Sequence, residues 1–147
     1  MKHLILILIL GFIFGCQTRQ NMETRHQEMI ENYIQAYNAF DIEGMCRDMS
    51  GEVIFQNVAN GEVNLETKGI AAFREQADKA KKFFSEREQK ITDIEMGTGS
   101  ASVLIDYTGV LATDLSENMK AGDTLRLKGK SIFHFQDDKI IRIIDES

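Results

Sequence analysis

The stretch Leu125-Arg-Leu-Lys-Gly-Lys-Ser-Ile-Phe-His-Phe-Gln-Asp-Asp-Lys-Ile-Ile-Arg-Ile-Ile144 decides the fold, because it reads as two long strands folded back across a tight polar turn. Leu125, Leu127, Ile132, Phe133, Phe135, Ile140, Ile141, Ile143 and Ile144 are apolar or β-favouring, and Gln136-Asp137-Asp138-Lys139 interrupts them with turn chemistry. Side chains alternate along a strand, so Phe133 and Phe135 share one face while Ile132 and His134 share the other. Apolar groups on both faces require both to be at least partly covered. Two strands alone are marginal, and the rest of the chain must supply what packs on them.

Upstream, Ser102 to Ala112 is a further β-rich run, with Val103, Ile105, Tyr107 and Leu111 on one face and Leu104, Asp106, Thr108 and Val110 on the other. Thr113 to Asp123 is a polar loop between this run and the hairpin. Gln89 to Met96 predicts another strand, closed by the turn Gly97-Thr98-Gly99. Lys68-Gly69 opens a helix with Ile70, Phe73, Ala77, Ala80 and Phe84 on one stripe, and its lysines read as a solvated face. Before it, Val53 to Val58 predicts a strand, and Asn60-Gly61 is a strong two-residue hairpin signal, returning through Val63 and Leu65.

Asp41 can cap a short helix in which Ile42, Met45, Cys46 and Met49 fall at helical spacing, ended by Ser50-Gly51. Thr24-Arg-His-Gln27 matches a capping box, followed by Met29, Ile30, Tyr33, Ile34, Tyr37 and Phe40 on the apolar face of a longer helix. The order is two helices, a short hairpin, one helix and four successive long strands. That order predicts an α+β domain with a mostly antiparallel sheet rather than a doubly wound parallel one.

At 147 residues, 43% hydrophobic and 27% charged, the composition is that of one ordinary globular domain. The first segment stands apart: Lys2 and His3 precede Leu4 to Leu10 and Phe12-Ile13-Phe14, an apolar run shorter than the roughly 20 residues that span a bilayer. It reads as a signal peptide, and Ile13-Phe14-Gly15-Cys16 resembles the bacterial lipobox, in which the cysteine becomes lipidated. The expected division is a signal peptide over 1–15, a lipidated tether over 16–23 and the domain over 24–147. The partner so implied is a lipid bilayer reached through acylated Cys16; an ordinary cleaved signal or an uncleaved anchor is the alternative. Gln17 lacks the acidic character associated with inner-membrane retention, which favours an outer-membrane, periplasm-facing address in the bacterial cell envelope.

The formal net charge is −6, more negative by one once Lys2 is removed, which argues against a nucleic-acid partner. Beyond Cys16 the other cysteine is Cys46, so no internal disulfide is available, and at its helical position it reads as a core thiol. Of the histidines outside the signal, His26 and His134, no metal-ligand spacing can be built, and a lone Gly97-x-Gly99 is a turn rather than a nucleotide loop. No cofactor and no metal are expected.

The element order, with Tyr33-Ile-Gln-Ala-Tyr-Asn-Ala-Phe-Asp41, Gly69-Ile-Ala-Ala-Phe73 and Phe133-His-Phe-Gln-Asp-Asp-Lys-Ile-Ile-Arg-Ile-Ile144, resembles the nuclear transport factor 2-like, SnoaL-like superfamily. The resemblance covers the chain after Glu23. It implies a cone: three N-terminal helices packed on a curved, mostly antiparallel sheet, with an internal pocket and a homodimer formed through the outer sheet face. Members include isomerases, dehydratases and polyketide cyclases that move protons on small carbonyl compounds, as well as non-catalytic binding domains. In the enzymes the early strand often carries an acidic or His-Asp pair. Here that strand offers Gln56-Asn57, neither of which is a general base.

The residue chemistry therefore favours a membrane-anchored, non-catalytic domain binding a small apolar ligand or a protein partner. The enzyme alternative is proton transfer with Asp106 or His134 as base and Tyr33 or Tyr37 as donor; a third reading is a protein-interaction module with a filled pocket. Asp106 lies between Ile105 and Tyr107, where an enclosed carboxyl would hold its proton more tightly and a solvent-facing one would be only a hydrogen-bond partner. Tyr33 and Tyr37, four apart on the apolar helix face, reach a pocket mouth or pack in the core. Gln56, Asn57, Asp106 and His134 complete the candidate ligand contacts. Asp145 reads as a polar strand end.

Overall fold

The computed structural model describes residues 4–147, with side chains from residue 19 onward. Helix α1 spans Leu4–Asn38, α2 Ile42–Cys46 and α3 Ile70–Lys81. The strands are β1 Met49–Ala59, β2 Glu62–Lys68, β3 Phe84–Gly97, β4 Ser100–Leu111, β5 Thr124–Gln136 and β6 Lys139–Glu146. They form one six-stranded sheet in the order β2-β1-β6-β5-β4-β3. Every neighbouring pair is antiparallel except β1 with β6. The expected signal peptide over 1–15 and the lipidated Cys16 lie outside the described side chains. No helix among the described residues is long and apolar enough to cross a membrane.

Turn chemistry fixes the two tightest hairpins. Asn60 and Gly61 sit at φ 55° and 79° between β1 and β2, and Asp137 and Asp138 at φ 51° and 55° between β5 and β6. Both are pairs of consecutive left-handed residues, whose twist matches that of the flanking strands. Irregular register at Asn57/Val58 in β1, Ile91/Asp93 in β3 and His134/Phe135 in β5 bends the sheet, as bulges do. The helices lie against its inner face. Met29, Ile30, Tyr33 and Ile34 of α1 and Phe73 of α3 are buried in one core with Val53, Val103, Ile105, Phe133 and Ile143.

The structure moves several boundaries. Thr24 lies inside α1 rather than at its start, and its hydroxyl donates to Gln20 O at 3.0 Å, the back-bond of a mid-helix threonine. The helix continues through this polar segment with support such as the Arg19–Glu23 pair at 3.0 Å. Asp41 caps α2 as expected, accepting from Gly44 N at 2.9 Å, but the helix stops at Cys46. Met49 and Ser50-Gly51 belong to β1 instead, where Met49 pairs with Ile140 of β6. Strand β3 begins at Phe84, opposite Leu111, so the segment Phe84–Glu88 is sheet rather than helix end.

Candidate functional site

Three strands and one helix aim polar groups into the mouth of the cone. Asn57 of β1 is the register partner of Asp145 of β6, which in turn pairs with Ser131 of β5. All three have the inward parity of Phe55, Ile143 and Phe133, while α1 brings Tyr33 and Tyr37 over them. Two hollows result. One, of about 190 Å³, is lined by residues including Tyr33, Phe55, Phe73 and Arg87. The other, of about 220 Å³, is lined by residues including Gln89, Tyr107 and Ser131. Tyr37, Asn57 and Asp145 line both.

Asp145 is the ionisable centre of this arrangement. The Ser131 hydroxyl donates to Asp145 Oδ1 at 2.6 Å, which favours the carboxylate, yet burial outweighs it and pushes the Asp145 carboxyl up to about 6. An acid with that ionisation exchanges a proton readily near neutral pH. The phenols around it remain donors. Burial raises Tyr37 and Tyr107 above their ordinary values, and Tyr33 is raised by burial and by the Asp145 carboxylate while the Arg87 guanidinium opposes the shift.

Arg87 enters from β3, 7% exposed. Its Nε donates to Tyr37 O at 2.9 Å, and its guanidinium carbon lies 3.8 Å from the centre of the Tyr37 ring and 4.4 Å from that of Phe40. Two strand positions on, Gln89 is tied to the end of α1: Asn38 Nδ2 donates to its carbonyl at 3.0 Å and Asn38 Oδ1 accepts from its amide at 2.7 Å. These bonds clamp α1 to β3 at the level of the cavity. Tyr107 stacks edge-on against Tyr37 and Phe84, at 6.4 Å and 5.9 Å between ring centres.

Tyr33, Tyr37 and Asn57 are thus brought together. The other sequence candidates are on the outer face of the sheet, one residue out of phase. Gln56 Nε2 donates to Glu66 Oε2 at 2.7 Å. Asp106 receives a hydrogen bond from Lys128 Nζ at 2.7 Å and its side chain is 49% exposed. His134 lies beside its cross-strand partner Arg142 in an outer groove of about 440 Å³. The physical reason is alternation: Val103, Ile105 and Tyr107 point inward, so Asp106 points out, and Phe133 and Phe135 do the same to His134.

Sequence reasoning passed over Asp145, Arg87 and Ser131. A signal for Asp145 existed: Arg142 facing out puts Ile143 and Asp145 on the inner side. Arg87 lay outside the expected strand and carried no such cue. Among the described residues no group of three or more His, Cys, Asp or Glu side chains could hold a metal ion.

A helix-mouthed cone on a bent antiparallel sheet, with a carboxylate and phenols inside, defines a class of small α+β domains with an interior pocket. The SnoaL-like domain model matches residues 30–143, and the chain belongs to that family. It is similar in structure to a candidate SnoaL-like polyketide cyclase from Jannaschia sp. CCS1, with 13% identity, TM-score 0.72, and 84% of this chain and 85% of that one covered. A candidate polyketide cyclase from Xanthomonas campestris pv. campestris aligns at 20% identity, TM-score 0.69, over 85% and 91% of the two chains. A protein of ketosteroid isomerase-like fold from Catenulispora acidiphila, in complex with trimethylamine, aligns at 9% identity, TM-score 0.67, over 80% and 83%. At these identities the likeness is one of fold. Comparison with curated proteins finds no match.

Proposed function

We propose that the cavity takes up a small carbonyl compound and that Asp145 moves a proton on it, as an isomerase, dehydratase or cyclase does. The observation that carries this reading is the Asp145 carboxyl, half-buried between Asn57 and Ser131 and pushed up to about 6. The early strand has no base in its Gln56-Asn57 pair, and the last strand supplies one at the same level of the cone. As base, the ionised carboxylate takes a proton from the carbon next to the carbonyl; Tyr37 or Tyr107, both protonated, offers a hydrogen bond to the oxygen that gains charge. The family's isomerases and cyclases, and the cyclase candidates among its structural neighbours, give the same direction.

The test is solvent exchange. The full chain is incubated in deuterium oxide with small 1,3-dicarbonyl and β-hydroxycarbonyl compounds, and loss of the α-hydrogen signal is followed by NMR. Wild type should wash deuterium in and Asp145→Asn should not. Binding with equal exchange in both proteins returns the cavity to the non-catalytic role.

Two attachments complete the proposal. Acylated Cys16 would hold the chain at a membrane of the cell envelope; acyl labelling that persists in Cys16→Ala would refute it. The outer sheet face, where Ile54, Ile132 and Ile144 are half-buried and Leu104 is 45% exposed, would pair two copies. Leu104→Lys should shift the mass measured by light scattering from dimer to monomer.

A further inference from the structure

We infer that Arg87 makes one end of the cavity a receptor for the carboxylate of a small organic acid, an assignment that rests on reading the cavity as a small-molecule site. A guanidinium stays charged at every accessible pH, and buried charges are as a rule paired. Arg87 is not. It is 7% exposed, and among the described residues it forms no ion pair within 4.0 Å.

Its other contacts do not replace a counter-ion. Tyr37 O takes up Nε, and the rings of Tyr37 and Phe40 fix the plane of the guanidinium, but Nη2 is enclosed with no hydrogen-bond partner. Gln89 Oε1 and Tyr107 Oη are enclosed too, but these residues line the neighbouring hollow. They share a register pair between β3 and β4, two positions from Arg87. The unmatched Nη2 donor is a cost to the empty fold that an acceptor bound in the hollow would remove.

The chemistry of the ligand follows from the donors. One rigid planar fork suits a planar carboxylate, which it grips with two parallel bonds, while a phosphate dianion would meet one cation and the Asp145 carboxyl in the same hollow. The net charge of −6 makes the attraction local to Arg87 rather than a property of the whole surface. Size limits the acid further: about 190 Å³ is the room of roughly six waters, so the ligand is short. With the carboxylate on Arg87, the remainder of the molecule reaches toward Asp145, which lines the same hollow. Arg87 then selects and orients the substrate on which Asp145 acts.

The experiment compares shape-matched acids and amides: butyrate against butyramide and benzoate against benzamide, titrated into the full chain by calorimetry or NMR. The acid should bind roughly tenfold or more tightly, the difference a charged hydrogen-bond pair commonly makes. Arg87→Met should abolish the preference and Arg87→Lys should restore part of it. If Arg87→Met does not fold, the wild-type pairs decide alone: amide binding equal to acid, or no acid binding at millimolar concentration, overturns the assignment. Asp145→Asn keeps Arg87 and should keep the acid preference. Deuterium exchange on neutral ketones without any acid preference would sustain the proton-transfer reading and remove the carboxylate receptor. Acid preference without exchange would do the reverse.

Discussion

The inner and outer faces of the sheet are one residue apart in sequence and differ in almost everything else. Asp106 and Asp145 both sit in apolar strands. Asp106 points outward, half exposed, against Lys128 at 2.7 Å. Asp145 points inward against Ser131 at 2.6 Å, where burial pushes its carboxyl up to about 6. Gln56 and Asn57 are neighbours in chain and opposites in role. Residue type alone does not confer chemistry in this fold; the phase of the strand does.

The largest test of that contrast is turnover. Asp145→Asn should lower proton exchange about a hundredfold or more, the usual weight of a general base, and Asp106→Asn should leave it unchanged. An equal loss in both would collapse the distinction between the faces.

Next in size is the pH dependence of stability. Asp145 binds its proton more tightly folded than unfolded, so between pH 3.8 and about 6 the folded state carries the extra proton and stability falls as pH rises. Above pH 6 the full cost is present, about 2 to 3 kcal/mol. Urea unfolding should therefore find Asp145→Asn more stable than wild type at pH 7 by an amount of this order, with the difference vanishing below pH 4.

Packing gives a smaller effect. A Cβ on Gly109 would lie 2.8 Å from the Phe84 ring and 2.8 Å from Tyr107 Oη, inside the aromatic cluster that walls the cavity, whereas one on Gly51 meets nothing within 4 Å. Gly109→Ala should cost about 1–3 kcal/mol in thermal unfolding and Gly51→Ala no more than about 0.5 kcal/mol. The smallest effect belongs to Lys128→Ala, which removes an exposed ion pair and should change stability by less than about 1 kcal/mol.

The fold was readable in the sequence because its signals are local. Asn60-Gly61 and Asp137-Asp138 carry their own turn chemistry, Asp41 its cap, and Val103, Ile105 and Tyr107 their alternation. The site was less readable because it depends on pairing between distant strands. Nothing near Ser131 in sequence announces that Asp145 lies across from it. The run Ile140-Ile141-Arg142-Ile143-Ile144 hides its own phase, since isoleucine occupies both faces and the bulge at His134/Phe135 shifts the register. Arg87 was hidden differently: Ser85-Glu-Arg-Glu-Gln89 is too polar to announce a strand, and only pairing with β4 draws it into the sheet. Thr24 misled because a capping pattern also occurs inside helices whose polar residues support each other.

One long helix has a mechanical consequence. Tyr33 and Tyr37 sit near the C-terminal end of α1, and at about 1.5 Å per residue Arg19 stands roughly 27 Å back along the same rod. Whatever holds the start of the chain therefore meets a rigid spacer rather than a loose cord. Held at a membrane as proposed, the domain would have the stand-off and tilt of its cavity mouth set by this helix, and lengthening α1 by a few residues would turn the mouth about the helix axis as well as lift it.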